Sequence, residues 1–373
     1  MRRSIVLAAI CGILVITISV NAQPLHEDPI CGLDEVLANR PERFHRFDPE
    51  PTLAFRSNEI LLYLHFDGAT VMPGFDNAAF FRSSLVNGTR LCPASTATQA
   101  QKDETVRLVR DDFSPFNIRV TTDFNEFLAY PAGNREMVLI TTFPSVAGFS
   151  SGTGGVSQFT GGRIPNSLSF VFSSLYGNDP KGVAHTISHE AGHQFGLDHQ
   201  NRFDSSCSYL AEYDSGYGSG PLSFDPIMGS GLDQGITNWF AQSCPSRILG
   251  RRQNDYEVLS SEVFVRDDDF PNVAEGAVQS SRDLTGILEQ AGDVDFMRIS
   301  FKNPGPVTVS SDNIDLRVSI FNPGGKLLET YNDPDSPGVT IPSANGMRYL
   351  KIEAASNENM SSQFMTGTYR VQY

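Results

Sequence analysis

Two textures of hydrophobic patterning divide the chain. From about residue 58 to 258, short apolar runs alternate with stretches of helical spacing. Residues 60–66 (ILLYLHF) predict a buried strand, and residues 98–112 a polar helix with Val106 and Val109 on one face. Strands follow at 117–121, 137–141 and 167–172, and a glycine-rich stretch at 148–162 holds a candidate edge strand of Val156, Ser157, Gln158 and Phe159. Residues 181–195 then predict a helix. Past residue 260 the helical spacing disappears. Runs at 296–301, 307–310, 316–321, 349–353 and 369–373 are punctuated by Gly, Pro, Asn and Asp, which predicts a β-sandwich over 265–373. The fold class expected is α+β: a twisted mixed sheet with one chemically important helix, then an all-β sandwich.

The N-terminus has its own pattern. Arg2 and Arg3 precede an apolar run over 4–20, and Val20-Asn21-Ala22 offers small residues for cleavage. The run is short for a membrane span, so residues 1–22 are read as a signal peptide and the chain as secreted, with no stable membrane insertion afterwards. Cys11 is filler in that run. Residues 23–57 are polar, proline-bearing and unpatterned, an N-terminal segment or short pro-segment.

Charge narrows the partners. The 373 residues carry a formal net charge of −15, and cleavage after Ala22 removes two arginines and no acids, giving −17. No basic stripe is present to neutralise phosphates, which argues against nucleic acid. Four cysteines remain after cleavage, Cys31, Cys92, Cys207 and Cys244, enough for two disulfides with three possible pairings. None forms the close C-x-x-C pair of a cysteine zinc site.

The chemistry lies in His189-Glu190-Ala191-Gly192-His193-Gln194-Phe195-Gly196-Leu197-Asp198-His199. Histidines four apart on a helix share a face and can grip one ion. Gly196 can end the helix and turn the chain so that His199 reaches the same ion. Three neutral imidazoles leave a fourth position for water, as catalytic zinc sites do. Zinc lowers the pKa of that water to about 7 and polarises a carbonyl. Glu190, beside the first ligand, can take the proton and pass it to a leaving amine. His185, one turn earlier, is expected to pack rather than bind.

This segment resembles the extended histidine motif of the metzincin metallopeptidases at every defining position. Asp225-Pro226-Ile227-Met228-Gly229 is similar to their methionine turn, which implies that Met228 floors the three histidines. The resemblance covers about 58–255 and implies a metzincin-like catalytic domain over 58–258. Gln200 stands where adamalysins have Asp, matrixins Ser and astacins Glu. Ser230 stands where astacins and serralysins have a tyrosine.

Cys207 and Cys244 bracket that turn, so a disulfide between them would pin it, leaving Cys31 to pair with Cys92. A competing idea comes from Pro29-Ile30-Cys31-Gly32, similar to the matrixin cysteine switch but with Ile30 in place of its arginine. Residues 265–373 resemble the bacterial pre-peptidase C-terminal domain, through Gly292-Asp293-Val294-Asp295-Phe296 and Gly367-Thr368-Tyr369-Arg370-Val371 among others. Such domains are thought to aid secretion or substrate attachment. Asp293 and Asp295 are candidates for calcium, although paired acids at a turn are more often solvated caps.

The function expected is a secreted zinc-dependent endopeptidase acting on protein or peptide substrates, through a zinc-bound water activated by Glu190. An extended substrate would add to the edge near Val156 to Phe159. The alternative is a secreted zinc-containing binding or adhesin-like protein without turnover, which would have no need of Glu190. Because the C-terminal region supplies no ligand, a chain ending near Asp267 is expected to keep its zinc.

Overall fold

The computed structural model describes residues 30–31, 59–231, 235–279, 284–356 and 365–373. The expected signal peptide, residues 1–22, and nearly all of residues 23–57 lie outside these residues. Among the described residues, no helix is long and apolar enough to cross a membrane.

A six-stranded sheet organises the first part. Its strands are β1 (Ile30–Cys31), β2 (Ile60–His65), β3 (Ile118–Thr121), β4 (Arg135–Thr141), β5 (Thr153–Val156) and β6 (Leu168–Phe172). The spatial order is β1-β5-β6-β4-β2-β3, with β5 antiparallel to β6 and every other pairing parallel. Both faces of the sheet are covered, which is why its strands read as continuous apolar runs rather than alternations. Leu62, Val138, Ile140 and Val171 face a core shared with helices α1 (Gln99–Asp112) and α2 (Pro180–Gln194). Leu61, Tyr63, Met137, Leu139 and Phe170 face a second core closed by Phe127 and Tyr130.

Local chemistry fixes both helices. Thr98 and Gln101 make a reciprocal capping box at the start of α1. Asp179 accepts from the Gly182 amide (3.0 Å) at the start of α2, with Pro180 in the first turn. Ser188 donates to the buried Asp112 carboxylate at 2.6 Å, tying the two helices together. The far end of α2 is pinned to the sheet by Gln194, whose side chain donates to the Met137 carbonyl at 2.9 Å.

Beyond the histidines, β7 (Phe224–Pro226) and β8 (Ile236–Asn238) form a small parallel pair, and α3 (Asp255–Val263) returns to the first core. The C-terminal region contains β9 (Leu284–Leu288), β10 (Val294–Ser310), β11 (Leu316–Phe321), β12 (Leu327–Asn332), β13 (Val339–Ala354) and β14 (Gly367–Gln372). They join in one hydrogen-bonded sheet, in the order β9-β14-β10-β13-β11-β12, with residues 278–279 added beside β10. Runs 296–301 and 307–310, expected as two strands, are one long strand. Its register shifts near Gly305, and residues from both of its arms enter a single core with Leu350 and Ile352.

That core also contains Phe224 and Ile236, both fully buried. Asn238 donates to the carbonyls of Asn313 (2.7 Å) and Thr366 (2.8 Å), and Arg370 pairs with Asp111 at 2.8 Å. Among the described residues, the C-terminal region adds none to the group of His189, His193 and His199, yet it shares its core with the segment leading to Met228. This shared packing bears on the expectation that a chain ending near Asp267 keeps its zinc.

Candidate metal centre

The turn after α2 brings the third histidine home. Gly196 has φ of 91°, and a Cβ there would come within 2.7 Å of the Gly162 backbone, so both conformation and space call for glycine. The Gly196 amide bonds the His193 carbonyl and the Leu197 amide the Gly192 carbonyl, which closes the helix. His189, His193 and His199 then offer ligand atoms that all lie within 4.8 Å of one another. All three are buried.

Their hydrogen bonds decide what those atoms are. Nδ1 of His189 meets the Ile227 carbonyl at 2.8 Å, and Nδ1 of His193 meets the Leu197 carbonyl at 2.7 Å. Nδ1 of His199 meets the Glu212 carboxylate at 2.9 Å. Each acceptor requires Nδ1 to carry the proton, so each Nε2 presents a lone pair. Two of these lone-pair nitrogens, on His193 and His199, lie 3.1 Å apart. Nε2 of His189 has no hydrogen-bond partner among the described residues. Burial, and then the neighbouring imidazoles, hold His189 and His193 well below the usual histidine pKa, so they stay neutral. Buried acceptors that converge without donors fit a cation, and three imidazoles suit zinc.

Glu190 is fully buried, and its carboxylate lies against the β5 backbone, in the place a side chain on Gly155 would fill. Met228 is fully buried, and its sulfur occupies the place of a side chain on Gly192. The Met228 carbonyl also accepts from the Gln200 amide at 2.8 Å, joining the turn to the chain just past His199. His185 is buried one turn from His189 but outside the ligand group. Its Nε2 faces the Pro226 carbonyl at 3.3 Å, and burial lowers its pKa to about 4.

Other expected positions fall differently. Val156 ends β5, and Ser157 and Phe159 beyond it are buried. Phe159 sets its ring 6.0 Å from that of His193. The strand therefore lies three residues earlier than expected, and its outer edge is paired: Ile30 registers with Thr153 and Cys31 with Gly155. Cys207 and Cys244 form a disulfide with Cα atoms 5.4 Å apart. Cys92 is a buried free thiol, so the expected Cys31–Cys92 bridge is not formed. Cys92 pairs with Ala69 in a separate three-stranded sheet, whereas Cys31 belongs to the six-stranded one. The Cys31 side chain lies outside the described residues, and the cysteine-switch idea with it. Two residues at the centre carried no sequence signal. Glu212 and Tyr213, the latter with its ring 4.5 Å from that of His199, come from a loop without periodicity or motif spacing.

One comparison with known proteins points to the same chemistry. Residues 79–223 match a family model described as a dual-action HEIGH metallo-peptidase. This is under half of the chain, but it contains all three histidines and Glu190. No curated protein matches. Among solved structures, the pre-peptidase C-terminal domain of collagenase from Bacillus anthracis is similar at 13% identity, over 29% of this chain and 96% of that one, with a TM-score of 0.20. PliG, a periplasmic inhibitor of g-type lysozyme from Salmonella Typhimurium, is similar at 20% identity, over 26% of this chain and 95% of that one, with a TM-score of 0.19. The family match supports a zinc-dependent metallopeptidase.

Proposed function

We propose that this chain is a secreted zinc endopeptidase of metzincin type, with residues 1–22 a signal peptide, 23–57 an N-terminal or pro-segment, 58–258 the catalytic domain and 265–373 an appended β domain. The observation that carries the reading is the convergence of three Nε2 lone pairs beside a buried carboxylate. His189, His193 and His199 would hold zinc, which supplies a Lewis acid that polarises a peptide carbonyl and acidifies a water. Glu190 takes the proton of the attacking water and delivers it to the departing amine. Met228 and the wall of β5 keep the site dry and its groups in place. Substrate would lie along β5 once residues 30–31 leave its edge. The test is hydrolysis of denatured casein with and without a chelator. Chelator-sensitive cleavage is expected; tight zinc binding with no cleavage of any protein or peptide substrate would instead mean a ligand-holding protein without turnover.

A second ion belongs to this proposal. Asp268, Asp293 and Asp295 offer oxygens within 4.8 Å of one another, and Asp268, Asp269 and Glu289 form an overlapping group. Asp295 is fully buried. Its Oδ2 accepts from the Tyr369 hydroxyl at 2.5 Å, and its Oδ1 has no hydrogen-bond partner among the described residues. Such oxygen-rich sites suit calcium. Calcium should raise the thermal midpoint of the wild type and not of Asp295→Asn; no rise in the wild type would remove this ion.

A further inference from the structure

His199 differs from the other two ligands. The Nδ1 atoms of His189 and His193 meet backbone carbonyls, which are neutral. That of His199 meets a carboxylate, Glu212, at 2.9 Å. Carboxylate partners orient a ligating imidazole and raise its basicity.

The surroundings hold this carboxylate in one place. The Asn201 side chain donates to the Glu212 carbonyl at 2.6 Å, and the Asp214 amide to the Gln200 carbonyl at 2.6 Å. On the other side, the Ser230 amide donates to the Asp214 carbonyl at 3.0 Å. Residues 212–214 are thus bonded both to the chain just past His199 and to the methionine turn. The second carboxylate oxygen accepts from the Tyr209 hydroxyl at 3.1 Å and lies 3.6 Å from Arg247, three residues past the bridged Cys244. Arg247 is more than half exposed, so its pull is screened by solvent and the His199 bond dominates. Beside Glu212, Tyr213 covers the His199 ring.

We propose that Glu212 is a positioning residue of the metal centre: by accepting the Nδ1 proton of His199 it fixes the Nε2 lone pair inward and makes this the most electron-rich of the three ligands. The proposal rests on the zinc reading of the same three histidines. It adds a negative charge next to the centre that the ligand motif does not contain, and it ties the third ligand to the disulfide-closed loop.

The test compares the full-length wild type with Glu212→Gln and Glu212→Ala. Gln keeps the size and an acceptor oxygen while removing the charge. Zinc affinity is measured by chelator competition at neutral pH, and thermal unfolding is followed on the metal-free proteins. Glu212→Gln should weaken zinc binding by about 10- to 100-fold, Glu212→Ala by more, and the metal-free Gln variant should melt with the wild type. Wild-type affinity in Glu212→Gln would overturn the proposal while leaving the zinc reading intact. A metal-free Gln variant that melts well below the wild type would make Glu212 a structural residue and overturn it too. Absence of tight zinc binding in the wild type would overturn both.

Discussion

The sulfur of Met228 sits against Gly192, in the volume that any side chain at that position would need. Helix α2 therefore has a notch between two of its histidines, and the methionine turn fills it. Gly192→Ala should force Met228 out or tilt the helix, an overpacking cost of about 1–3 kcal/mol. Because the Ile227 carbonyl holds His189, the displaced turn should also loosen that ligand. Lower thermal stability together with weaker zinc binding is expected. An alanine variant that melts and binds zinc as the wild type does would show that the notch is not needed.

On the proposed reading, Glu190 separates holding the ion from using it. None of the three Nδ1 bonds that orient the histidines involves this carboxylate. Glu190→Ala should therefore keep zinc and fold while losing hydrolysis of a fluorogenic peptide. General acid–base catalysis accounts for about 10²- to 10⁴-fold, and lost orientation of the attacking water adds to it. Equal rates in variant and wild type, each checked for zinc content, would remove Glu190 from the mechanism.

The centre was legible where chemistry follows local spacing. His189, Glu190, His193, Gly196 and His199 lie within eleven residues, and one helix with its closing turn is enough to bring them together. Met228 was legible only through its resemblance, since an Ile-Met pair has no pattern of its own. Glu212 and Tyr213 were not legible: they reach His199 through a loop held by long-range bonds to Gln200 and Ser230. Four strands of the first sheet, β2, β3, β4 and β6, were readable because both of its faces are buried; β1 was not, and β5 lies three residues before the expected run. The shared core was not, because nothing in the local pattern of Phe224 or Ile236 says which sheet they face. Cys207 and Cys244 did pair; Cys92, in a different sheet from Cys31, did not.

His185 gives the centre a pH dependence that can be isolated. Burial lowers its pKa to about 4, outweighing the bond to the Pro226 carbonyl, so near neutrality it is uncharged and its 3.8 Å approach to Asp225 is not an ion pair. Between the unfolded value near 6.5 and about 4, the unfolded chain binds a proton that the native chain does not. Stability therefore falls as pH drops through that window. At about 1.4 kcal/mol per unit, His185 accounts for roughly 3 kcal/mol across it. With a chelator present throughout, both proteins lose the metal's contribution, so the difference from His185→Gln reports His185 together with its repulsion of His189. Denaturant unfolding at pH 7 and pH 4.5 should show a shallower loss in the variant. Parallel losses would mean that this imidazole accepts its proton in the native state.

The shared core makes the C-terminal region a structural part of the metal centre. Phe224 and Ile236 stand on paired strands just before and after the methionine turn, and both are fully buried in the core of the C-terminal sheet. Ending the chain near Asp267 would expose both side chains, at about 1.5–3 kcal/mol each. It would also strip Asn238 of its two carbonyl acceptors and Asp111 of Arg370. Losses of this size approach the whole margin of about 5–15 kcal/mol that keeps a domain folded. They fall on the segment that carries Met228, whose sulfur sits against Gly192, between His189 and His193 in the chain. The truncated chain should be insoluble, or else fold with a loosened turn and weakened zinc binding. Zinc content, solubility and near-UV circular dichroism of the truncated and full-length proteins decide the matter. Replacing Phe224 with Ala in the full-length chain provides a second arm that removes no strand, with an expected cost of about 3–5 kcal/mol. A soluble truncated chain with full zinc affinity and a native near-UV spectrum would show that the two parts fold independently despite their contact.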